Sequence, residues 1–347
     1  MVNWVVSLAG PRQISLQPCP PDPLGPGQVR VRTHYSGISA GTELTLYRGS
    51  NPRLSKDWDA VTRMFVPRQA AVPYPLVGFG YEEVGEIVEV GHDVPDRRPG
   101  QVVWGIWGHR AEAVLAADAV HPLPAGLDPL AAVFARPGAI ALTAVLAGDL
   151  HLGDWVGVFG QGVIGLLATR LAVLSGARVV AVDRVPSRLA YATCLGARLA
   201  VDATVESAAA VLRQATAGRG ADVCLELSGA YPALHEAIRA TTHAGRVVAA
   251  GFYQGQADGL GLGEEFHHNR IQLVAAQVSG PTPAPGMAGR WTGARVAQTF
   301  MDLVAEGSVD PLPLVSHVVD AGAVADALTL LDRGDGDALQ VVLRFRP

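Results

Sequence analysis

Val158-Phe159-Gly160-Gln161-Gly162-Val163-Ile164-Gly165 places three glycines at G-x-G-x-x-G spacing, directly after the apolar run WVGVFG (155–160) and directly before the helical pattern VIGLLATRLAVLSG (163–176). Strand, glycine turn and helix in that order form a cradle for a pyrophosphate. Gly160 permits the tight turn, Gly162 lets the backbone approach the anion, and Gly165 lets the helix pack on the strand. The N–H groups of Val163, Ile164 and Gly165 open the helix and are free to bind negative charge. The next strand, RVVAVD, ends at Asp183, 18 residues beyond Gly165, where a carboxylate can accept from both adenosine ribose hydroxyls. NAD is therefore the expected cofactor. A 2'-phosphate would meet the Asp183 charge, although Arg184 and Arg188 leave room for dual use.

Outward from this turn, apolar runs of strand length alternate with helical periodicity. RVVAVD (178–183) is followed by PSRLAYATCLGA (186–197), ADVCLEL (221–227), LHEAIRATT (234–242) and GRVVAAG (245–251). That alternation predicts a doubly wound parallel sheet over 126–307. Residues 1–125 read differently, as short Val/Ile runs such as QVRVRTHYSGIS (28–39) and VGEIVEVG (84–91) between Pro/Gly turns. They predict a small barrel, completed by the strand-like segments at 308–347. A Gly/Pro-rich stretch, GPTPAPGMAG (280–289), precedes the last helical pattern. The insertion at 48–75 carries Arg48, Arg53, Lys56, Arg63 and Arg68 beside Trp58 and Phe65. It reads either as a loop over a site or as a solvated excursion.

The composition narrows the function. With 347 residues the chain is long enough for about two domains. Hydrophobic residues are 49% and charged residues 17%, which excludes a disordered chain. Lys56 is the only lysine, so a P-loop or a Tyr-x-x-x-Lys dyad has no lysine in the required place. The net charge is −5 and no Lys/Arg stripe runs along any segment, so no nucleic-acid partner is expected. Cys19, Cys194 and Cys224 are far apart and form no disulfide framework or four-cysteine zinc lobe. Neither a signal peptide nor a membrane span is apparent, and a reducing cytoplasm is expected.

Several further segments resemble the medium-chain dehydrogenase/reductase family. GISAGTEL (37–44) resembles GICGTDL, GYEEVGEIVEVG (80–91) resembles GHExxGxVxxVG, GHRAEAV (108–114) resembles GxxAEY, and ARPGAIALTAV (135–145) resembles the EP-containing segment of polyol dehydrogenases. The resemblance implies a GroES-like barrel followed by a Rossmann domain, α/β in class. SGISAGTE (36–43) and AGFY (250–253) are similar to segments of a zinc-free subgroup that includes bacteriochlorophyllide 3-hydroxyethyl dehydrogenases. By the same resemblance, Ser228 and Gly229 border the nicotinamide ribose, Gly251, Phe252 and Tyr253 face the nicotinamide, and Arg188 reaches the adenosine ribose. RIQLVAAQV (270–278) matches an edge strand that pairs two copies, so a homodimer is expected.

Departures fall where the family binds catalytic zinc. The cysteine position holds Ser39, or Ala40 with a one-residue slip; the histidine is Tyr81; the glutamate is Arg136. A guanidinium cannot ligate zinc, and Glu82 alone does not make a tetrahedral site, so neither a catalytic nor a structural metal is expected. Arg136 is then the candidate for stabilising an alkoxide or gripping a substrate anion, with an ion pair to Glu82 as the alternative. Tyr81 is a candidate donor or base, and would need a nearby cation to act as a base near neutral pH; a packed aromatic is the alternative. Thr42 is positioned to relay a proton. His267 and His268 read as adjacent strand residues on opposite faces, His109 as a cleft residue without a neighbouring acid, and Cys194 and Cys224 as core.

These features point to NAD-dependent, zinc-independent oxidation of a secondary alcohol on a polar, sugar-like or cyclitol-like small molecule, or the reverse. A zinc-free enoyl or quinone reductase, a redox-neutral enzyme with tightly held NAD, and a non-catalytic NAD-binding protein stand as alternatives. Asp183 speaks against the first, whose usual cofactor is NADPH.

Overall fold

The computed structural model describes residues 3–345 except 71, 73, 280–286, 288 and 335, so most of the Gly/Pro-rich stretch lies outside the described residues. In chain order the first half contains β1 (Asn3–Gly10), β2 (Gln13–Cys19), β3 (Gln28–Ile38), α1 (Thr42–Arg48), β4 (Lys56–Asp59), β5 (Met64–Pro67), β6 (Leu76–Val77), β7 (Glu83–Val90), β8 (Val102–Gly105), β9 (Glu112–Ala116) and β10 (Val120–Pro122). Then follow α2 (Ala135–Gly148), β11 (Trp155–Phe159), α3 (Val163–Leu174), β12 (Arg178–Asp183), α4 (Pro186–Cys194), β13 (Leu199–Asp202), α5 (Ala208–Ala215), β14 (Ala221–Glu226), α6 (Tyr231–Ala240), β15 (Thr241–Ala249), β16 (Gln272–Ala275) and α7 (Gly293–Ala305). The chain closes with β17 (Val315–Asp320), α8 (Val324–Arg333) and β18 (Gln340–Arg344).

Two compact units result: Met1–Ala135 with Leu312–Pro347, and Arg136–Pro311. The division lies past residue 125 because the 3-10 turn Pro129–Phe134 packs on β3 and β7, with Val133 and Phe134 fully enclosed. In the first unit β10-β8-β7-β3-β18-β17 form a mixed sheet, β9 pairs with β3, and β2-β1-β6 form a second sheet. This is the GroES-like unit. Strand alternation puts Val29 and Val31 of β3 inward against Ile87, Val103 and Val120. The C-terminal β17–α8–β18 crossover adds Leu328, Leu331, Val341 and Leu343 to a second core with Val6 and Leu8.

The second unit is a six-stranded parallel sheet in the order β13-β12-β11-β14-β15-β16, a Rossmann sheet. Its central strands β12, β11 and β14, near-continuous in Val, Ala and Leu, are enclosed, as parallel strands covered on both faces must be, while the edge strands β13 and β16 are largely exposed. Strand order reverses between β11 and β14, and the crevice beyond the strand ends there is where such sheets bind ligands. Ser207 caps α5 by accepting from Ala210 N, and Thr292 caps α7 by accepting from Arg295 N. The helical run Pro129–Gly148 is apolar and long enough to cross a membrane, but it is mostly buried in the protein.

Candidate active site

At the end of β11 the chain turns at Gly160, whose φ is 89° and whose N–H donates to Val182 O at 2.8 Å. A Cβ on Gly165 would stand 1.8 Å from Gly160 O, so only glycine lets α3 start this close to the turn. A Cβ on Gly162 would meet no protein atom within 4 Å. The space before the free first-turn N–H groups of α3 is thus open, and it fits a pyrophosphate. Buried Gln161 pins the turn: its Nε2 donates to Val158 O at 2.8 Å and its Oε1 accepts from Thr169 Oγ1 at 2.9 Å.

Asp183 leans over the same turn. Its Oδ2 accepts from Gln161 N at 2.5 Å, and its Oδ1 accepts from Arg184 N at 2.7 Å and Val185 N at 2.9 Å. The backbone therefore occupies three of about four acceptor positions on this carboxylate, which fixes it beside the glycine turn and leaves about one position open. Arg184 is exposed, and Arg188 lies half-buried in the first turn of α4.

Across the reversal point, β14 ends in the wholly buried Glu226. Its carboxylate accepts from Ser228 N at 2.9 Å and Gly229 N at 3.1 Å, and also from the hydroxyls of Ser228 and Tyr253. Burial pushes the Glu226 carboxyl up, only partly countered by these donors. Burial and the Glu226 charge push the Tyr253 phenol up as well. Gly251 N donates to Glu226 O at 2.9 Å, which ties the β15 end to the β14 end, while Phe252 is exposed. Ser228, Gly229, Gly251 and Tyr253 are thus brought together by an acid that the sequence reading passed over. Its signal was an acid closing an apolar strand before Ser-Gly.

In the GroES-like unit, Ser39 follows β3, Thr42 opens α1 and Tyr81 precedes β7. The Tyr81 hydroxyl donates to Ser39 Oγ and lies 3.4 Å from Thr42 Oγ1. Burial, then the Glu82 and Glu43 charges, push the phenol up against the Ser39 and Thr42 hydrogen bonds. Tyr81 is therefore a neutral donor here rather than a base at neutral pH.

Glu82 is buried, and its Oε2 accepts from Gln340 Nε2 at 2.9 Å. Burial, with Glu43 and Glu83 adding like charge, pushes its carboxyl well above the usual range. In the Rossmann unit Arg136 Nη2 donates to Ser279 Oγ at 2.8 Å. Within the GroES-like unit Ser39 and Tyr81 do not fit zinc: both are neutral hydroxyls, and the pKa of one is raised.

His109 corrects the sequence reading, which gave it no neighbouring acid. The imidazole is 1% exposed, with Nε2 2.6 Å from Glu43 Oε2 and Nδ1 2.6 Å from Ser36 Oγ. Ser36 in turn donates to Glu83 Oε1 at 3.0 Å. His267 and His268 end a helical turn, not a strand, with their rings 5.5 Å apart. Among the described residues, His235, Glu264 and Glu265 form the one group with metal-ligand spacing, and Arg239 already bonds Glu265 at 3.4 Å. Cys224 is buried as expected, its thiol pushed to about 12 by burial, whereas Cys194 is exposed. The 48–75 insertion contains a hairpin, β4 with β5, on which Trp58 faces Phe65 at 5.1 Å and Arg68 pairs with Asp57.

Fold and cradle together define a nicotinamide-dinucleotide-binding oxidoreductase. A family profile described as zinc-binding dehydrogenase matches residues 163–287. D-guloside 3-dehydrogenase from Escherichia coli K12 is 31% identical over 303 residues, covering 84% of this chain and 85% of the relative. (R,R)-butanediol dehydrogenase from Bacillus subtilis is 28% identical over 289 residues, covering 74% of this chain and 77% of the relative. An X-ray structure of 2R,3R-butanediol dehydrogenase from Bacillus subtilis has the same fold, with TM-score 0.79 and 22% identity over 99% of both chains. The chain belongs to the medium-chain dehydrogenase/reductase family.

Proposed function

We propose that this oxidoreductase interconverts a secondary alcohol and a ketone on a sugar-like or other polyhydroxylated substrate, using NAD and no catalytic zinc. The observation that carries this reading is the hydroxyl cluster of Tyr81, Ser39 and Thr42, in which Tyr81 and Ser39 are the residues that the resemblance aligns with two of the family's metal ligands. The matched profile supports the family through the Rossmann unit alone; residues 163–287 include none of Ser39, Tyr81 and Arg136. Asp183 favours NAD, and relatives named for guloside, butanediol and sorbitol favour a polyhydroxylated or vicinal alcohol.

A bound nicotinamide would supply the hydride acceptor as NAD in oxidation and the hydride donor as NADH in reduction, and the chain's own groups handle the proton. In the reducing direction the neutral Tyr81 phenol turns its proton from Ser39 to the carbonyl oxygen, and Ser39 and Thr42 pass one replacement proton from solvent back to it. In the oxidising direction the substrate proton leaves along the same hydroxyls. Because Tyr81 holds its proton tightly, the phenol itself adds no titration near neutral pH in either direction. Arg136 supplies positive charge for the developing alkoxide or for a substrate anion. A homodimer pairing β16 edges and a cytoplasmic setting, with three free cysteines, complete the proposal.

The test is a panel of glycosides, polyols and vicinal diols, followed at 340 nm with NAD or NADP, for wild type and Tyr81→Phe. NADH formation that falls about 100-fold or more in Tyr81→Phe, with NAD binding retained, is the expected result. A Tyr81→Phe variant as fast as wild type removes the phenol from the reaction.

A further inference from the structure

The GroES-like unit buries three carboxylates, Glu43, Glu82 and Glu83, each at most 3% exposed, and two of them, Glu43 and Glu83, flank a single imidazole, His109. The contacts around that imidazole fix how many protons the group holds. Glu43 Oε2 to His109 Nε2, His109 Nδ1 to Ser36 Oγ, and Ser36 Oγ to Glu83 Oε1 each need one hydrogen between the two atoms. A neutral imidazole brings one and the serine hydroxyl brings another. The third is an additional proton, held on the imidazole or on one of the two carboxyls. Both outer oxygens are satisfied too: Glu43 Oε1 accepts from Ser39 N at 3.0 Å, and Glu83 Oε2 from Trp107 N at 2.8 Å.

This chain grips both sides of the hydroxyl cluster. Through Glu43 it holds the Ser39 backbone and the start of α1, which carries Thr42. On the other side His109 N donates to Phe79 O at 2.9 Å, and the Phe79 and His109 rings meet edge to face at 5.6 Å. Gly80 has φ 104°, and a Cβ there would stand 2.9 Å from His109 Cε1 and 3.0 Å from Glu83 Oε1. The residue before Tyr81 thus rests directly on the imidazole.

We propose that His109 is a positioning residue for the Tyr81–Ser39–Thr42 cluster, holding from beneath the two segments that carry it. The proposal rests on reading that cluster as the seat of the substrate oxygen. His109 touches none of the reacting atoms; it sets the distance between a donor on one segment and its acceptors on the other. The β3–β7 ladder aligns the two segments as far as Ser36 opposite Glu83, with Gly37 N donating to Glu82 O at 2.8 Å; Ser39 and Tyr81 lie just beyond it, where the contacts of His109 and Glu43 take over.

The experiment labels tyrosine Cζ with 13C and identifies the Tyr81 resonance by its loss in Tyr81→Phe. His109→Gln and Ser36→Ala are then compared with wild type, with NADH binding as the control for an intact Rossmann unit. A displaced or split Tyr81 resonance in both variants, with NADH affinity kept within about twofold, is expected; a donor misplaced by about 1 Å costs about 100-fold in rate. On any substrate turned over in the panel, that loss falls on kcat and leaves KM nearly unchanged. A Tyr81 resonance unmoved in folded His109→Gln overturns the proposal; should that variant not fold, an unmoved resonance in Ser36→Ala does so. If no substrate is turned over, the functional reading fails while the resonance still decides the role of His109.

Discussion

Replacing Gly165 by alanine separates the geometry of the dinucleotide cradle from its mere presence. The new Cβ would lie 1.8 Å from Gly160 O and 2.8 Å from Gly160 C, whereas ordinary contact begins at 3.4 Å. The missing separation is about 1.6 Å, the difference between 3.4 and 1.8, and both contacts are to backbone, so no side chain can swing aside. The first turn of α3 must retreat from the glycine turn by a comparable distance. One or two charge-assisted hydrogen bonds from its N–H groups to the pyrophosphate are then lost, at about 1.5–3 kcal/mol each. NADH affinity is expected to fall about 10- to 100-fold for the loss of one such bond, and stability to fall by about 1–3 kcal/mol. Gly162→Ala is the matched control: its Cβ meets nothing in the protein, so it should leave stability unchanged and still weaken NADH binding. Calorimetric titration with NADH and thermal melts measure both. A folded Gly165→Ala variant with wild-type affinity would refute the placement of the pyrophosphate at this helix.

Three other perturbations follow from the same geometry. Asp183→Ala removes the acceptor of three backbone N–H groups and the charge that repels a 2'-phosphate; the NAD-over-NADP preference should narrow by about tenfold or more, read from paired titrations. Glu82, Glu83 and His109 all have raised folded-state pKa values, so their contribution to stability is full at acid pH and is lost as pH rises through those values. Glu82→Gln keeps an acceptor for Gln340 and removes a buried charge, so its melting midpoint should exceed wild type at pH 8 and converge with it near pH 5. Glu226→Gln leaves the Ser228 and Gly229 N–H groups an acceptor but weakens their hold, and NADH affinity should drop by several-fold while the melting midpoint moves little.

Much of this architecture is written locally in the chain. The alternation from Trp155 to Gly251 reports its own strands and helices, and Gly160, Gly162, Gly165 and Asp183 report the cradle because a short segment supplies nearly all of it. The polar network of the GroES-like unit is different. Glu43 and His109 are 66 residues apart, and Glu82 and Gln340 are 258 apart, so no local pattern announces either pair. His109 therefore reads as an isolated histidine until β3, α1 and β7 converge on it. The 48–75 insertion hid its hairpin for another reason: its two strands are four residues long and largely exposed, and only the cross-strand pair Trp58 and Phe65 marks the register.

If hydroxyl groups, not a metal, handle the substrate oxygen, turnover is independent of zinc. Metal content and alcohol-dependent NADH formation measured on one preparation, before and after exhaustive chelation, decide this. The expected result is turnover that neither tracks zinc content nor falls on chelation, with Tyr81→Phe abolishing most of it. Stoichiometric zinc whose removal abolishes turnover and whose return restores it would contradict the account.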